Sequence, residues 1–308
     1  MYRFISKQIK NKNIKILKGI PFKNTQSFVN IKTIVFSIFC ITLLFTSCVK
    51  EDDVQEIPAY IKVTDFNLTT TSQQGENTEN ITDVWAYVDD QFMGTYPLPV
   101  SFPILQEGNH TLKLFAGIKD NGIEGTRVRY HFYKFYEEVI FLTKDSITTV
   151  FPTFRYTESA NFEIEDFEGV GVDIDTSLNS EVDFEIKTEG NGNKYASAIL
   201  DGNYLTFELV TKDFENLPQS GSPVYLEMDY KCNQNILIGA FINYPQTVVN
   251  KDLLWVTEKE DWHKIYINMT KTVSEAIGNQ SIKFYLNLHR TDTTESSWLK
   301  IDNLKLVY

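Results

Sequence analysis

The sequence predicts an all-β protein of two β-sandwich domains in tandem, behind a cleaved leader. Three observations carry this expectation. Apolar residues alternate with polar ones over short runs, as in Leu205, Phe207 and Leu209, or Val224, Leu226, Met228 and Tyr230. The runs are punctuated by Gly, Asn, Asp and Pro, the residues that turns require. No helical period is sustained anywhere; one turn near Val273–Ile277 is the most the pattern offers.

The leader ends in the stretch Thr33–Cys48. From Thr33 to Phe45 there is no charged residue, and Lys23 and Lys32 precede the run. It is shorter than the roughly 20 apolar residues a bilayer-spanning helix needs, so it reads as a secretion signal. Thr46 and Ser47 then lead to Cys48, which becomes the new N-terminus and carries lipid. Met1–Asn30 holds several lysines and no acid, unusually long for a signal's basic region, as if translation were assigned to begin too early. Residues 1–47 are therefore set aside as signal, and 48–58 read as a lipidated acidic tether.

This stretch resembles bacterial lipoprotein signals, in the loose form seen in the Bacteroidota, with Phe45 and Ser47 where the usual pattern has Leu and a small residue. Lys50, Glu51, Asp52 and Asp53 resemble the export signal of that phylum, which sends lipoproteins across the outer membrane. The resemblance implies a lipid anchor at Cys48 and a protein on the outer membrane, facing the cell exterior.

Of 29 basic residues eight precede Cys48, leaving 21 against 41 acids, a net charge of −20 for the mature chain. Binding nucleic acid needs clustered Lys and Arg, so this balance argues against it. Of three cysteines, Cys40 leaves with the signal and Cys48 is acylated, so Cys232 has no intramolecular partner and reads as a small buried hydrophobe.

The first domain is expected over 59–157. Tyr60–Val63 reads as a strand, Ser72–Asn80 as a polar loop, Val84–Val88 and Gln91–Tyr96 as strands joined by a turn at Asp89-Asp90, and Thr111–Phe115 as a further strand. Val88, Asp89, Gly94 and Pro97, then Leu105, Gly108, His110 and Leu112, resemble the spacing of PEGA-type modules, small sandwiches that act as spacers or adhesive units. Tyr130–Tyr136 is dense in rings. Alternation puts Tyr130, Phe132, Lys134 and Tyr136 on one face and His131, Tyr133 and Phe135 on the other; one set is core and the other a partner-binding face, with Tyr130, Phe132 and Tyr136 as the candidates. His110 and His131 lack neighbouring metal ligands.

The second domain is expected over 158–308. Glu165-Asp166-Phe167-Glu168, Trp262–Met269 and Ile301–Leu306 resemble the corresponding pieces of carbohydrate-binding-module jelly rolls, the galactose-binding-like sandwiches. That resemblance implies a fold more firmly than a ligand, because such sandwiches also serve as protein-binding and structural units. It also implies a structural Ca²⁺ near the paired termini, for which Glu165, Asp166, Glu168 and Asp302 would supply oxygens; the plain reading of the same acids is solvated strand ends. Alternation places Tyr225, Glu227 and Asp229, and Lys283, Tyr285, Asn287 and His289, opposite the buried sets of their strands. Rings, amides and carboxylates are what sugar recognition uses, while an ordinary solvated sheet face is the simpler reading.

No G-x-S-x-G, H-E-x-x-H or glycine-rich phosphate loop is present in the sequence, so a non-enzymatic role is expected, with no cofactor beyond that Ca²⁺. Two roles compete. In the first the chain is a protein-binding subunit of an outer-membrane complex containing a barrel. In the second it is a surface lipoprotein that binds polysaccharide for uptake. Asp145-Ser146-Ile147 and Asp292-Thr293-Thr294 resemble the O-glycosylation motif of the Bacteroidota, implying modification at Ser146 and Thr293.

Overall fold

Alternation becomes pleat directly in the first strand, where Ala59, Ile61 and Val63 are buried and Tyr60 and Lys62 are exposed. The computed structural model describes residues 56–308, together with Ile31; the signal, Cys48 and Lys50–Asp53 lie outside the described residues. Eleven strands build the first sandwich: β1 (Ala59–Val63), β2 (Asn67–Thr69), β3 (Asp83–Val88), β4 (Gln91–Pro97), β5 (Val100–Ile104), β6 (Gly108–Lys119), β7 (Arg127–Arg129), β8 (Tyr133–Lys134), β9 (Tyr136–Leu142), β10 (Ile147–Val150) and β11 (Thr153–Tyr156). One layer runs β4-β3-β6-β7, with β9 also paired to β6. The other is made of two three-stranded sheets, β10-β1-β5 and β2-β11-β8. The β3–β4 hairpin turns at Asp89 and Asp90, both at positive φ (48° and 64°), the geometry whose twist suits a tight hairpin.

The second sandwich contains β12 (Phe162–Glu165), β13 (Ile174–Thr176), β14 (Glu185–Thr188), β15 (Lys194–Leu200), β16 (Thr206–Thr211), β17 (Tyr225–Cys232), β18 (Ile236–Tyr244), β19 (Thr247–Val256), β20 (Lys259–Asn268), the short helix α1 (Thr270–Glu275), β21 (Ser281–His289) and β22 (Ser297–Val307). One sheet runs β14-β15-β22-β17-β20, with β12 added to β22; the other runs β13-β16-β21-β18-β19. Their inner faces meet through Phe207, Leu209, Met228, Ile238, Phe284 and Ile301, all essentially without solvent contact. First and last strands pair, Phe162 opposite Val307 and Glu165 opposite Leu304. The fold is thus an all-β jelly-roll sandwich with a smaller sandwich before it.

The two sandwiches are packed by a shared core. Tyr225, Tyr266 and Val307, from the outer face of the β17–β20–β22 sheet, belong to the apolar cluster of the first sandwich. Here the expectation for Tyr130–Tyr136 is corrected. The chain turns at Tyr130–Tyr133, where the Tyr133 amide donates to the Tyr130 carbonyl, and the turn breaks the two-residue period. Tyr130, Phe132 and Tyr133 therefore all point inward and are buried, and only Tyr136 of the proposed face keeps partial exposure. Tyr225, Glu227 and Asp229 are also not an open face: every residue from Tyr225 to Tyr230 is buried, because the first sandwich lies on them.

Charges at this junction are matched. Glu227 accepts hydrogen bonds from Tyr130 Oη and, at 2.8 Å, from Tyr156 Oη, and pairs with Lys264 at 3.3 Å. Lys305 donates to the Glu76 carbonyl at 2.8 Å. The polar loop 72–80 supplies that carbonyl and also Asn80, whose amide N–H meets Tyr266 Oη at 3.1 Å. An unpaired buried charge would cost several kcal/mol, roughly what each of these contacts offsets. Burial holds the Lys305 ammonium down at about 8 and pushes the phenols of Tyr130, Tyr133, Tyr156 and Tyr266 well above their ordinary range. Among the described residues no helix is long and apolar enough to cross a membrane.

Candidate ligand-binding face

With one sheet of the jelly roll covered, the outer face of β13-β16-β21-β18-β19 is the one left open. Its side chains line up by register. Glu208, Asn287, Leu237 and Trp255 form one row across four strands. Val210, Tyr285, Gly239 and Asp252 form the next, and Lys283, Phe241 and Asn250 the one after. The opposite side of the same strands carries Phe207, Leu209, Phe284, Leu286, Ile238 and Ala240 into the core, which fixes these rows outward.

Gly239 shapes the centre. A Cβ there would sit 2.0 Å from Tyr285 Cζ, so only glycine lets the Tyr285 ring lie flat across β18. The ring is held by Phe241, at 4.8 Å between centroids, and by a hydrogen bond from its Oη to Asp252. Burial, followed by the Asp252 carboxylate, pushes the Tyr285 phenol up, keeping it a donor. Trp255 stands at the edge with 59 % of its surface exposed.

The polar groups are equally fixed. Glu208 accepts from Ser177 Oγ at 2.6 Å and from the side-chain amides of Asn179 and Asn287, each at 3.1 Å. Lys283 pairs with Asp213 at 3.0 Å. His289 is exposed and shares a 3.2 Å hydrogen bond with Thr206 Oγ1. Rings to stack on, with amide and carboxylate groups locked beside them, suit a flat ligand bearing hydroxyls. The four residues expected on β21 are therefore together, but Tyr285 is corrected: its ring is buried at 1 % exposure, packed across Gly239 and against Phe241, so it braces the face rather than presenting its ring. Trp255, Phe241, Glu208 and Gly239 were not anticipated. The one available signal was Gly239 inside an otherwise apolar run, the mark of a close approach.

The four acids expected around Ca²⁺ are each engaged locally. Glu165 accepts from the amides of Phe167, at 2.7 Å, and Asp173. Asp166 caps the Glu168 amide at 3.1 Å, and Glu168 takes the Lys194 amide at 2.7 Å. Asp302 accepts from Asn193 Nδ2 and the Asn303 amide, both at 2.7 Å, and burial pushes its carboxyl up to about 7. Among the described residues no three His, Cys, Asp or Glu side chains are grouped to hold a metal. Cys232 is buried, with its thiol raised by that burial. Ser146 is half-buried in a turn, its Oγ on the Thr143 carbonyl at 2.6 Å, and Thr293 is fully accessible in a loop.

No family model matches the chain, and no curated protein matches it. Solved structures do. The CBM22-2 xylan-binding domain from Paenibacillus barcinonensis is 13 % identical, spans 47 % of this chain and 97 % of its own, and gives a TM-score of 0.34. The family 11 carbohydrate-binding module from Clostridium thermocellum, in complex with a β-1,3-1,4-mixed-linked tetrasaccharide, is 15 % identical over 48 % of this chain and 94 % of its own, TM-score 0.34. The K1 cleaved adhesin domain of Lys-gingipain from Porphyromonas gingivalis is 12 % identical over 47 % and 97 %, TM-score 0.33.

Proposed function

We propose that this chain is a non-catalytic lipoprotein that holds a polysaccharide against the open face of its jelly roll. The observation that carries the reading is the conjunction of exposed Trp255 and half-buried Phe241 with Asn287 and Asp252 on one sheet face, braced from beneath by the buried Tyr285 and Glu208. Sugar rings present apolar C–H faces and equatorial hydroxyls; aromatic faces take the first and fixed amides and carboxylates the second. No bond is made or broken in this role. Between the two roles drawn from the sequence, this face supports glycan binding as the jelly roll's task.

Affinity electrophoresis and calorimetry with xylan, mixed-linked β-glucan and pectin test it. We expect at least one to bind the wild type, and Trp255→Ala to lose about tenfold or more, since an exposed ring that a ligand stacks on contributes about 2 kcal/mol. A folded protein that binds none of them, or a Trp255→Ala variant that binds equally well, would overturn the reading. The anchoring half of the proposal is tested separately. Cys48→Ala should leave the protein unlipidated and release it from the outer-membrane fraction. Replacing Lys50, Glu51, Asp52 and Asp53 with Ala should protect it from protease added to whole cells.

A further inference from the structure

The first sandwich has an uncovered sheet face of quite different chemistry. On the outer side of β3, β4 and β6, and at the junction of β8 and β9, five rings form an unbroken layer. Trp85 lies 6.0 Å from Phe92, Phe92 5.2 Å from Tyr87, Tyr87 5.4 Å from Phe115, and Phe115 5.0 Å from Phe135. Phe92 is 54 % exposed and Phe135 36 %. Val84, Ala86 and Val88 on the same β3 strand fill the core, so the layer does not belong to it.

Cations lie on the rings. The Arg129 guanidinium sits 5.5 Å over Trp85 and 5.0 Å over Phe115, and Lys113 sits 5.8 Å over Phe135. Lys113 is also paired with Asp90 and Glu137. Arg129 is exposed and makes no ion pair with any described residue. Beyond Phe135, on β8 and β11 of the other layer, Lys134 and Arg155 are cross-strand neighbours, both exposed and likewise unpaired among the described residues. With Phe135, Tyr136, Thr153 and Glu137, whose carboxylate faces Lys113, they line an open cleft of about 320 Å³. In a chain this acidic, unpaired cations beside exposed rings are a local reversal of charge.

We propose that this face docks a protein partner whose surface presents carboxylates among apolar side chains. Trp, Tyr and Arg are the residues that dominate protein interfaces, where rings bury large areas at small entropic cost and a guanidinium binds a carboxylate in two places. The layer's two neighbouring carboxylates, Asp90 and Glu137, are taken up by Lys113, and the face has no row of side-chain amides like that of the jelly roll, which sets it apart from a sugar site. This docking does not depend on the glycan reading: it uses other residues, on the other sandwich. It does place the partner-binding role of the sequence on Trp85, Phe92, Phe115, Arg129 and Phe135, not on the buried Tyr130 and Phe132.

The probe is a random twelve-residue peptide library on phage, selected on the full-length protein in mild detergent and subtracted on a Phe92→Asp/Arg129→Glu variant. Expected is a set of peptides with two or more Asp or Glu around an apolar residue. Their affinity should fall about tenfold on Arg129→Glu and on Phe92→Ala, weaken with salt, and be untouched by Trp255→Ala. Both substituted side chains are exposed, so the melting temperature should hold; Phe135→Ala gives an independent third reading. The proposal is overturned if no peptide survives subtraction, or if the survivors are neutral or basic. It is overturned equally if acidic survivors bind Arg129→Glu as well as wild type, if polygalacturonate displaces them by occupying the rings, or if the rings instead mediate self-association that Arg129→Glu abolishes.

Discussion

The outer faces of the two jelly-roll sheets look alike on paper and have opposite fates. On β17 the outward residues are Tyr225, Glu227 and Asp229; on β21 they are Lys283, Tyr285 and Asn287. Each is a ring with polar or charged neighbours at two-residue spacing. The β17 set is sealed beneath the first sandwich, with Glu227 at 0 % exposure, whereas of the β21 set only Tyr285 is buried, and Lys283 and Asn287 keep partial exposure beside Trp255. The difference comes from the partner surface, not from the strand. Tyr130 and Tyr156 bring hydroxyls to Glu227 of β17 and Tyr133 one to Tyr266 of the neighbouring β20, and no described element lies over β18 and β21.

The strongest way to break the comparison is at Glu227. Replacing it with Leu leaves the Tyr130 and Tyr156 hydroxyls and the Lys264 ammonium buried without their acceptor, and we expect a loss of about 3–5 kcal/mol in urea denaturation. A loss below about 1 kcal/mol would mean that the junction is wetter than the contacts imply. On the open side, Gly239→Ala drives a methyl into the Tyr285 ring. It should cost about 1–3 kcal/mol and weaken glycan binding by displacing that ring.

Asp302 sharpens the comparison by pH. Its carboxyl is raised to about 7 from an ordinary 3.8, so between those values the folded state holds a proton that the unfolded state has lost. This contribution therefore falls as pH rises from about 4 to 7, by at most about 1.4 kcal/mol per unit. Asp302→Asn should remove that slope, and the difference between the two denaturation curves across pH 4.5–8 isolates it from other groups. The smallest effect is expected on the open face: Trp255→Ala should change stability by less than about 0.5 kcal/mol, because most of its surface is already in water, while glycan binding is lost.

Much of the fold was legible because the two-residue period survives wherever a strand is covered on one side. Phe207 and Leu209, or Ile282, Phe284 and Leu286, lie inward as the alternation places them, while Leu205, one residue before β16, is exposed. The period fails where both sides are covered, as along Tyr225–Tyr230, and where a turn intervenes, as at Tyr130–Tyr133. In the candidate site, Lys283, Tyr285, Asn287 and His289 were legible from one strand. Trp255 and Glu208 were not, because cross-strand register is set by hairpin lengths and the bulge between Ile238 and Gly239, which no local pattern announces. The buried junction charges, Lys264 and Lys305, were not legible, since nothing adjacent to them in sequence reveals the loop 72–80 that covers them.

The shared core of Tyr225, Tyr266 and Val307 with the first sandwich bears on how this molecule can be cut and recombined. Modules that meet through short polar linkers can be excised and moved between proteins with their surfaces intact. Here, severing the chain at Thr157–Asn161 would leave the jelly roll with bare tyrosines and an ionic cluster evolved for a dry environment. It would leave the smaller sandwich with Tyr130, Phe132 and Tyr133 facing water, a surface prone to aggregate. The unit inherited intact is therefore the pair, and any ligand on one member is held at a fixed distance and angle from whatever grips the other.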